Sequence, residues 1–299
     1  MQEYLEIFQR NFPFIVREED SILHILKNEN NRFIGKRDEN GRLIGLSVVN
    51  QNTILLLCVD QEYRKQGIGT GLLAESESII REAGFAEIVV GVGFSYLMPG
   101  VPTSRRYFDA VNEALDPSLD ESASDFFTKR GYAHSRDCNI FDMRFPLEKF
   151  DQEAHSVGDT IDGITYRWAG PDDLPKICRC TDDALEEFTR WYKNEKLYAG
   201  NPLGRVLIAL DKEEVVGALI VGQESASKKI GSVGCTSVKH SSRGKHVAVN
   251  MVTLGTKYLR DIGMKEAFLS YTYSGLDRMY GYAGYKISVY YMMARKSLV

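Results

Sequence analysis

The stretch that decides the fold is residues 54–70, ILLLCVDQEYRKQGIGT. Its first part, residues 54–60, is a short and almost wholly apolar run, which is typical of a buried β-strand. A polar loop with two glycines follows, and then a segment that keeps its apolar residues on one helical face. The sequence therefore predicts a strand, a glycine-rich loop and a helix. The helix should end at Gly84, since glycine commonly forms the left-handed C-terminal cap.

A glycine-rich loop between a strand and a helix is suited to binding an anion. The first N–H groups of the helix have no partner within the helix, and they lie at the positive end of its dipole. Gly67 and Gly69 allow a ligand to approach the backbone because neither has a Cβ, while Arg64 and Lys65 can add charged contacts. Neither a Walker loop nor a dinucleotide-binding fingerprint fits, since Leu72 occupies a position that each motif reserves for another residue.

The same order of elements recurs in the second half of the chain. Residues 234–238 predict a strand, KHSSRGKHVA a loop that enters a helix, and residues 266–271 the next strand. Four residues recur in the same roles at one constant offset of 179 positions: Val59, Arg64, Gly84 and Glu87 correspond to Val238, Arg243, Gly263 and Glu266. The repeat predicts two tandem domains of one fold.

The polar, turn-rich segment between the repeats is the predicted domain boundary. Each half begins with a hairpin pattern, KRDENGRLIGLSVV in the first and ALDKEEVVGALIVG in the second. We therefore predict an N-terminal domain at residues 1–147, a linker at 148–163 and a C-terminal domain at 164–299. The predicted fold class is α/β, with a mixed sheet flanked by helices in each domain.

The composition sets further limits on function. With 43% hydrophobic residues, the chain can bury two cores. Its 37 basic and 41 acidic residues give a net charge of -4, which argues against nucleic acid as the main partner. No apolar run is long enough for a membrane span, and the start MQEYLEIFQR is unlike a signal peptide, so we expect a cytoplasmic protein. The five scattered cysteines favour a reduced compartment and no metal, with Cys178 and Cys180 as an alternative redox pair.

The spacing Val59-x4-Arg64-x2-Gly67-x-Gly69 resembles the acetyl-coenzyme A (acetyl-CoA) loop of the GCN5-related N-acetyltransferase (GNAT) family. The family motif is Q/R-x-x-G-x-G/A, and the resemblance extends over both halves of the chain. It implies two tandem acyl-CoA N-acyltransferase-like domains that use acetyl-CoA as cosubstrate and no metal. The coenzyme-binding residues that it implies are Cys58, Val59, Arg64, Lys65, Gln66, Gly67, Ile68, Gly69 and Thr70.

The resemblance also suggests where the transition state is stabilised and which half holds the coenzyme. The oxyanion is commonly bound by strand N–H groups, for which Cys58, Val59 and Asp60 are the candidates. In the second loop Ala248 fits the family pattern, but His246 replaces the first glycine and can obstruct the pyrophosphate. We therefore expect the first half to bind the coenzyme, with binding by the second half as the alternative.

The proton donor to the departing thiolate has different candidates in the two halves. In the family this donor is often a tyrosine five residues before the closing aromatic residue. Tyr280 occupies that position in the second half, whereas the first half has Phe127, which cannot donate a proton. Two hypotheses stay open. The first half uses Tyr107, Tyr96 or water instead, or the second half is catalytic and uses Tyr280.

The first half also carries an extra segment, residues 93–122, that we expect to be a long functional loop. Within it, MPGVP at residues 98–102 predicts a stiff turn beside the site. Arg105 and Arg106 can bind an acidic substrate group or a coenzyme phosphate, or can be a solvated surface. The acidic side chains of the same segment can equally attract a basic amine: Asp109, Glu113 and Asp116.

The favoured function is an N-acetyltransferase that transfers an acetyl group from acetyl-CoA to an amine of a small molecule or peptide. We expect a small-molecule amine as partner, no nucleic acid and no membrane, and we allow for a homodimer. The first alternative is a non-catalytic acetyl-CoA sensor or scaffold, with Phe127 as the sign of lost chemistry. The second is a pair of interaction domains that bind no ligand.

The two loops give a direct test of the predicted coenzyme site. Replacing Gly67 and Gly69 with valine should weaken CoA binding by more than tenfold per lost contact, because each charged hydrogen bond contributes about 1.5–3 kcal/mol. The same change at His246 and Ala248 should leave the affinity nearly unaltered. Calorimetric titration of both folded variants with CoA decides between the loops. Normal binding by the first variant and weak binding by the second would assign the coenzyme to the second half.

Overall fold

The structure is a computed structural model, and it describes residues 1–92, 97–108, 121–151 and 158–299. The described residues divide into two compact units. Unit 1 contains those up to Phe141 together with Ser288–Val299, and unit 2 contains those within Asp142–Ile287.

Both units alternate helices and strands along the chain. The helices are α1 Gln2–Asn11, α2 Glu19–Leu26, α3 Ile68–Glu82, α4 Ser122–Thr128, α5 Leu174–Tyr192, α6 Val247–Asp261 and α7 Asp277–Tyr282. The strands up to the unit boundary are β1 Arg32–Arg37, β2 Leu43–Asn50, β3 Thr53–Val59, β4 Glu87–Val90, β5 Val101–Thr103, β6 Ala133–His134 and β7 Ile140–Pro146. The later strands are β8 Thr160–Ile161, β9 Ile164–Trp168, β10 Arg205–Asp211, β11 Glu214–Ser225, β12 Ile230–Val238, β13 Glu266–Tyr273, β14 Lys286–Met292 and β15 Ala294–Ser297.

Unit 1 is built on a mixed sheet with the strand order β1-β2-β3-β4-β15-β6. Strands β1, β2 and β3 are antiparallel, and β4 runs parallel to β3, as expected for strands that α3 connects. The apolar face of α3, with Leu72, Leu73 and Ile80, belongs to the same core as Ile54 and Ile88 of the central strands. The predicted strand, loop and helix are therefore present in this unit.

The C-terminal strand of the chain completes the sheet of unit 1. Arg295 pairs with Val89 of β4 and, on its other side, with Ala133 of β6. The main-chain N–H of Met293 also donates to Nδ1 of His134. The prediction placed residues 164–299 in one domain, but these long-range pairings assign Ser288–Val299 to unit 1.

Part of the predicted long loop is a buried strand. Val101 of β5 pairs with Met292 of β14, and Thr103 pairs with Tyr290. Met98 is buried next to this strand. The stiff turn expected at residues 98–102 is therefore wrong for Val101 and Pro102, which are buried in β5. The acidic residues of the same segment lie outside the described residues: Asp109, Glu113 and Asp116.

Unit 2 repeats the plan of unit 1. Strands β8 to β12 form an antiparallel series. β13, which follows α6 in the chain, pairs with β12 in parallel. The predicted linker at 148–163 contributes to this sheet, because Thr160–Ile161 pairs with β9. The predicted limits of the two domains differ from the limits of the two compact units.

Neither a membrane-spanning helix nor a metal-binding cluster occurs among the described residues. No helix in the described part of the chain is long and apolar enough to cross a membrane. Within the same residues, no group of three or more His, Cys, Asp or Glu side chains is placed to hold a metal ion.

The C-terminal strand offers a test of its energetic role in unit 1. The Lys296 ammonium contacts both oxygens of the mostly buried Glu77 at 2.9 and 3.0 Å, and Glu77 also accepts from the Tyr132 hydroxyl. Lys296→Met should destabilise unit 1 by about 1–3 kcal/mol, because it leaves the Glu77 carboxylate short of a partner.

Arg295→Met is the matched control, since Arg295 forms an exposed pair with Glu87. That change should cost less than about 1 kcal/mol. Hydrogen exchange in denaturant measures the two values for unit 1, and equal losses would contradict this role for Lys296.

Candidate functional site

The loop before α3 leaves the start of the helix open to a ligand. After a 3-10 turn at Gln61–Tyr63, Lys65 and Gly67 adopt left-handed conformations, with φ of 63° and 84°. The first helical hydrogen bond runs from the Gly71 N–H to the Gly67 carbonyl at 3.0 Å, and no side chain caps the helix. The N–H groups of residues 68–70 therefore point out of the helix at the positive end of its dipole.

The two glycines of this loop leave room at its surface. A Cβ added to Gly67 would meet no protein atom within 4 Å, so that side of the loop is open. A Cβ added to Gly69 would lie 3.6 Å from the Phe126 ring, an ordinary contact distance. An open backbone with unpaired N–H donors fits the phosphate groups of acetyl-CoA. The predicted loop residues Gln66, Ile68 and Thr70 lie in the same turn.

Arg64 holds the loop against the end of β3. Its Nε donates to the Val59 carbonyl at 2.9 Å, and its Nη2 donates to Oδ1 of Asn11 at 3.3 Å. In unit 2, Nε of Arg243 makes the same bond to the Val238 carbonyl at 3.4 Å. The repeated valine and arginine in the sequence are therefore a structural clamp. The exposed Lys65 stays a candidate for a phosphate contact.

A buried carboxylate next to this clamp escaped the sequence analysis. Asp60 accepts two hydrogen bonds at 2.8 Å from Arg10 and a third from Asn11, and its other ion pair is with Arg42 at 3.1 Å. Burial opposes ionisation of Asp60, but these donors and charges outweigh it and lower the pKa of the carboxyl. The network fixes the end of α1 to the end of β3, because Asn11 also binds Arg64.

β3 carries a β-bulge at the point where its pairing with β4 ends. Val48 pairs with Leu56 and Val49 with Ile54, so Leu55 has no partner on β2. The pairing of β3 with β4 covers Thr53 and Ile54 only, and the last hydrogen bond is from the Gly91 N–H to the Ile54 carbonyl at 3.0 Å. Among the described residues, the rest of β3 has no neighbour on that side.

The pairing of β3 with β2 determines which N–H groups face the open side of β3. The Asp60 N–H donates to the Ile44 carbonyl, and antiparallel pairs alternate, so the Cys58 N–H also faces β2. The Val59 N–H points away from β2, toward the open side. Of the three predicted oxyanion donors, Val59 is therefore suitably directed, and Cys58 and Asp60 are not.

The thiol of Cys58 has no role as a nucleophile in this geometry. The side chain is buried, and desolvation raises its pKa to about 12. It stays protonated near neutral pH.

The second loop has the backbone of the first although its residues differ. Gly244 and His246 have φ of 77° and 59°, where Lys65 and Gly67 have 63° and 84°. The first bond of α6, from the Asn250 N–H to the His246 carbonyl, again starts an uncapped helix. His246 is exposed and therefore alters the surface of the loop, not its path.

The hydroxyl of Tyr280 is already satisfied within unit 2. It lies 3.2 Å from Oγ1 of Thr236, at an irregularity in the pairing of β12 with β11. The side chain is buried, and desolvation raises its pKa to about 12. Unit 1 has Phe127 and Leu57 at the corresponding positions, so both hydroxyls are replaced by apolar groups.

Tyr107 of unit 1 is a different case, because its hydroxyl is buried without a hydrogen-bond partner among the described residues. Its ring stacks on His134 with a centroid distance of 4.2 Å and packs against the core that contains Val59 and Phe127. Burial raises the pKa of Tyr107, against smaller lowering effects of the Arg105 charge and of a polar contact with the Ser124 hydroxyl. Tyr96, the other candidate of unit 1, lies outside the described residues.

The sequence of unit 1 matches a known family model. Residues 1–95 match the acetyltransferase (GNAT) family. The match covers the α3 loop and both strands beside it, which are the elements that form the candidate site. Among curated proteins, no sequence matches the chain.

Solved structures share the fold over nearly the whole chain. A GCN5-related N-acetyltransferase from Sphaerobacter thermophilus has a TM-score of 0.71 and 19% identity, covering 99% of this chain and 91% of that one. A tandem GNAT protein of the clavulanic acid biosynthesis pathway has a TM-score of 0.67 and 13% identity, covering 99% and 94%. The predicted tandem GNAT-like fold is confirmed.

A third similar structure is the GCN5-related glucosamine N-acetyltransferase region of a fungal multi-domain GH3 β-N-acetylglucosaminidase. It has a TM-score of 0.71 and 19% identity, and the match covers 98% of this chain but 36% of that protein. At 13–19% identity these structures show the fold of the chain and identify no substrate.

The left-handed conformation of His246 predicts a difference in stability between the loops. In the folded state, a left-handed non-glycine residue is less stable than glycine by roughly 1–2 kcal/mol. Glycine loses more conformational entropy on folding, which offsets roughly 0.5–1 kcal/mol of that difference. His246→Gly should therefore stabilise unit 2 by about 0.5–1 kcal/mol. Gly67→His should destabilise unit 1 by a similar amount. Denaturant unfolding followed by hydrogen exchange measures both, and a loss of stability in His246→Gly would contradict the assignment of strain.

Proposed function

We propose that this protein is an acetyl-CoA-dependent N-acetyltransferase whose unit 1 binds the coenzyme. The observation that carries the proposal is the uncapped start of α3, which opens beside the unpaired edge of β3. A phosphate site and a free strand edge at one point suit a ligand with a pyrophosphate and an extended amide chain. The proposed acceptor is an amine of a small molecule or peptide.

The roles of the residues follow from their positions. The N–H groups of residues 68–70 and the Lys65 ammonium would hold the pyrophosphate, and Arg64 would keep the loop in place. Acetyl-CoA supplies an activated acyl group to the site. The Val59 N–H, which faces the open side of β3, would donate to the oxygen that becomes negative during transfer.

Tyr107 is the proposed acid in unit 1. Its hydroxyl is buried and makes no hydrogen bond of normal geometry among the described residues, and its ring packs against the core that contains Val59. Burial raises its pKa, and the hydroxyl therefore stays protonated at neutral and mildly alkaline pH. Turnover should not fall with rising pH in that range through loss of this proton.

A non-catalytic acetyl-CoA sensor is the second candidate. It is favoured by the apolar pair Phe127 and Leu57, which stand where unit 2 has the hydroxyls of Tyr280 and Thr236. Such a protein would bind the coenzyme and release no thiol with any acceptor. An assay of thiol release across amino acids, polyamines, aminoglycosides and peptides separates the two functions.

Matched tyrosine variants test the proposed acid. Tyr107→Phe should lower kcat by about 10²–10⁴-fold with little change in KM for acetyl-CoA, since it removes a proton donor and keeps the ring. Tyr280→Phe is the control and should leave kcat within about threefold. The reverse result would move the reaction to unit 2. Unchanged turnover in both variants would leave Tyr96 or water as the donor in unit 1 and would exclude Tyr107.

A further inference from the structure

Arg130 is fixed next to the start of α3 by uncharged groups. It follows α4, and its Nη1 donates to the Phe126 carbonyl at 2.8 Å. The guanidinium carbon lies 3.9 Å from the centre of the Phe126 ring, a cation–π distance. Its Nη2 donates to Oγ1 of Thr70 at 2.8 Å, in the first turn of α3. Three contacts thus hold one arginine against the predicted phosphate loop.

This guanidinium has no counter-charge within the described part of the chain, where no carboxylate forms an ion pair with it. Two other arginines of unit 1 differ in this respect: Arg10 is paired with Asp60, and Arg105 is paired with Glu121 and Asp125. Arg130 instead lies beside the positive end of the α3 dipole. The two positive groups repel each other, and a bound anion would offset that repulsion.

The donors of Arg130 are suited to a phosphate. A guanidinium has five N–H donors in a planar fork, of which Phe126 and Thr70 take two. The remaining donors can bind two oxygens at once, the geometry in which arginine recognises phosphate. Because Phe126 and Thr70 already hold the side chain, little further rotamer freedom is lost when a ligand binds.

Unit 2 lacks this arrangement. Ala283 stands before Gly284 as Arg130 stands before Gly131, and Val249 of α6 corresponds to Thr70. Neither residue can donate a hydrogen bond through its side chain. The two loops share a backbone, so this difference lies in the side chains that surround them.

We propose that Arg130 binds the pyrophosphate of the coenzyme in unit 1 and that Thr70 positions it. The assignment to the pyrophosphate follows from the contact with Thr70, which places the guanidinium at the first turn of α3 and beside its open N–H groups. The proposal rests on the proposed function. It adds a charged contact outside the loop motif and a reason for unit 1 to bind the coenzyme in preference to unit 2.

The test compares two variants of equal charge change with three ligands. Arg130→Gln removes the guanidinium, and Arg81→Gln removes an exposed arginine at the far end of α3. Calorimetric titration uses CoA, dephospho-CoA, which lacks the 3′-phosphate, and acetyl-pantetheine, which lacks every phosphate. Arg130→Gln should bind CoA and dephospho-CoA at least about tenfold more weakly than the parent protein, and acetyl-pantetheine equally well. Arg81→Gln should match the parent with all three ligands.

A second variant keeps the proposal testable if Arg130→Gln folds poorly. Thr70→Val retains the arginine but removes the hydroxyl that holds it, and it should weaken CoA binding by about two- to fivefold, less than the loss of a charged contact. Full CoA affinity in Arg130→Gln would overturn the proposal.

The remaining outcomes also decide it. A loss with CoA alone would assign the arginine to the 3′-phosphate, and an equal loss with acetyl-pantetheine would make its role structural, so that each contradicts the pyrophosphate contact. If the parent protein binds none of the three ligands, the proposed function itself fails. The parent titration therefore separates a failure of the proposed function from a failure of the Arg130 proposal.

Discussion

The open edge of β3 depends on a crossing of main chains that accepts glycine alone. Gly91 turns left-handed at the end of β4, with φ of 90°, and a Cβ there would lie 2.5 Å from the Cα of Gly100. A Cβ on Gly100 would in turn lie 2.6 Å from the Met292 carbonyl oxygen. This crossing draws β4 away from β3 after Ile54, next to the bulge at Leu55. The Val59 N–H can then face a ligand, because no strand among the described residues takes its place.

The two units keep one geometry with different chemistry. In unit 1 the ion pair beside the loop joins Arg42 of the hairpin to Asp60 after β3. In unit 2 the corresponding pair joins Glu214 to Lys239, with the charges exchanged. The main-chain N–H of Asp60 donates to the Ile44 carbonyl, and that of Lys239 donates to the Val216 carbonyl in the same way. An exchange of both charges preserves the attraction, and it reverses the sign of the charge that follows the central strand, so the two loops have different electrostatic surroundings.

The sequence predicted the local parts of the site well and the distant parts poorly. The strand, loop and helix at residues 54–70 and the cap at Gly84 follow from periodicity and glycine positions, which act over a few residues. The partners of Asp60, by contrast, come from Arg10 and Asn11, some fifty positions away, and no periodic pattern marks them. Arg130 is similar, because its contact with Thr70 spans 60 positions. The return of β15 to unit 1 depends on pairing across most of the chain, which sequence spacing does not encode.

The charges around the first loop show where its affinity for an anion would arise. Arg10 and Arg42 lie close to the loop, but they are paired with the two carboxylates of Asp60 and Glu62, and their net contribution at a distance is small. Arg64 keeps its charge, because its partners are the uncharged Val59 carbonyl and Asn11 side chain. The attraction that remains would come from the helix N–H groups, from Arg64 and the exposed Lys65, and from Arg130. A site of this kind would hold an anion by directed donors and a few local charges, which is compatible with a chain whose net charge is -4.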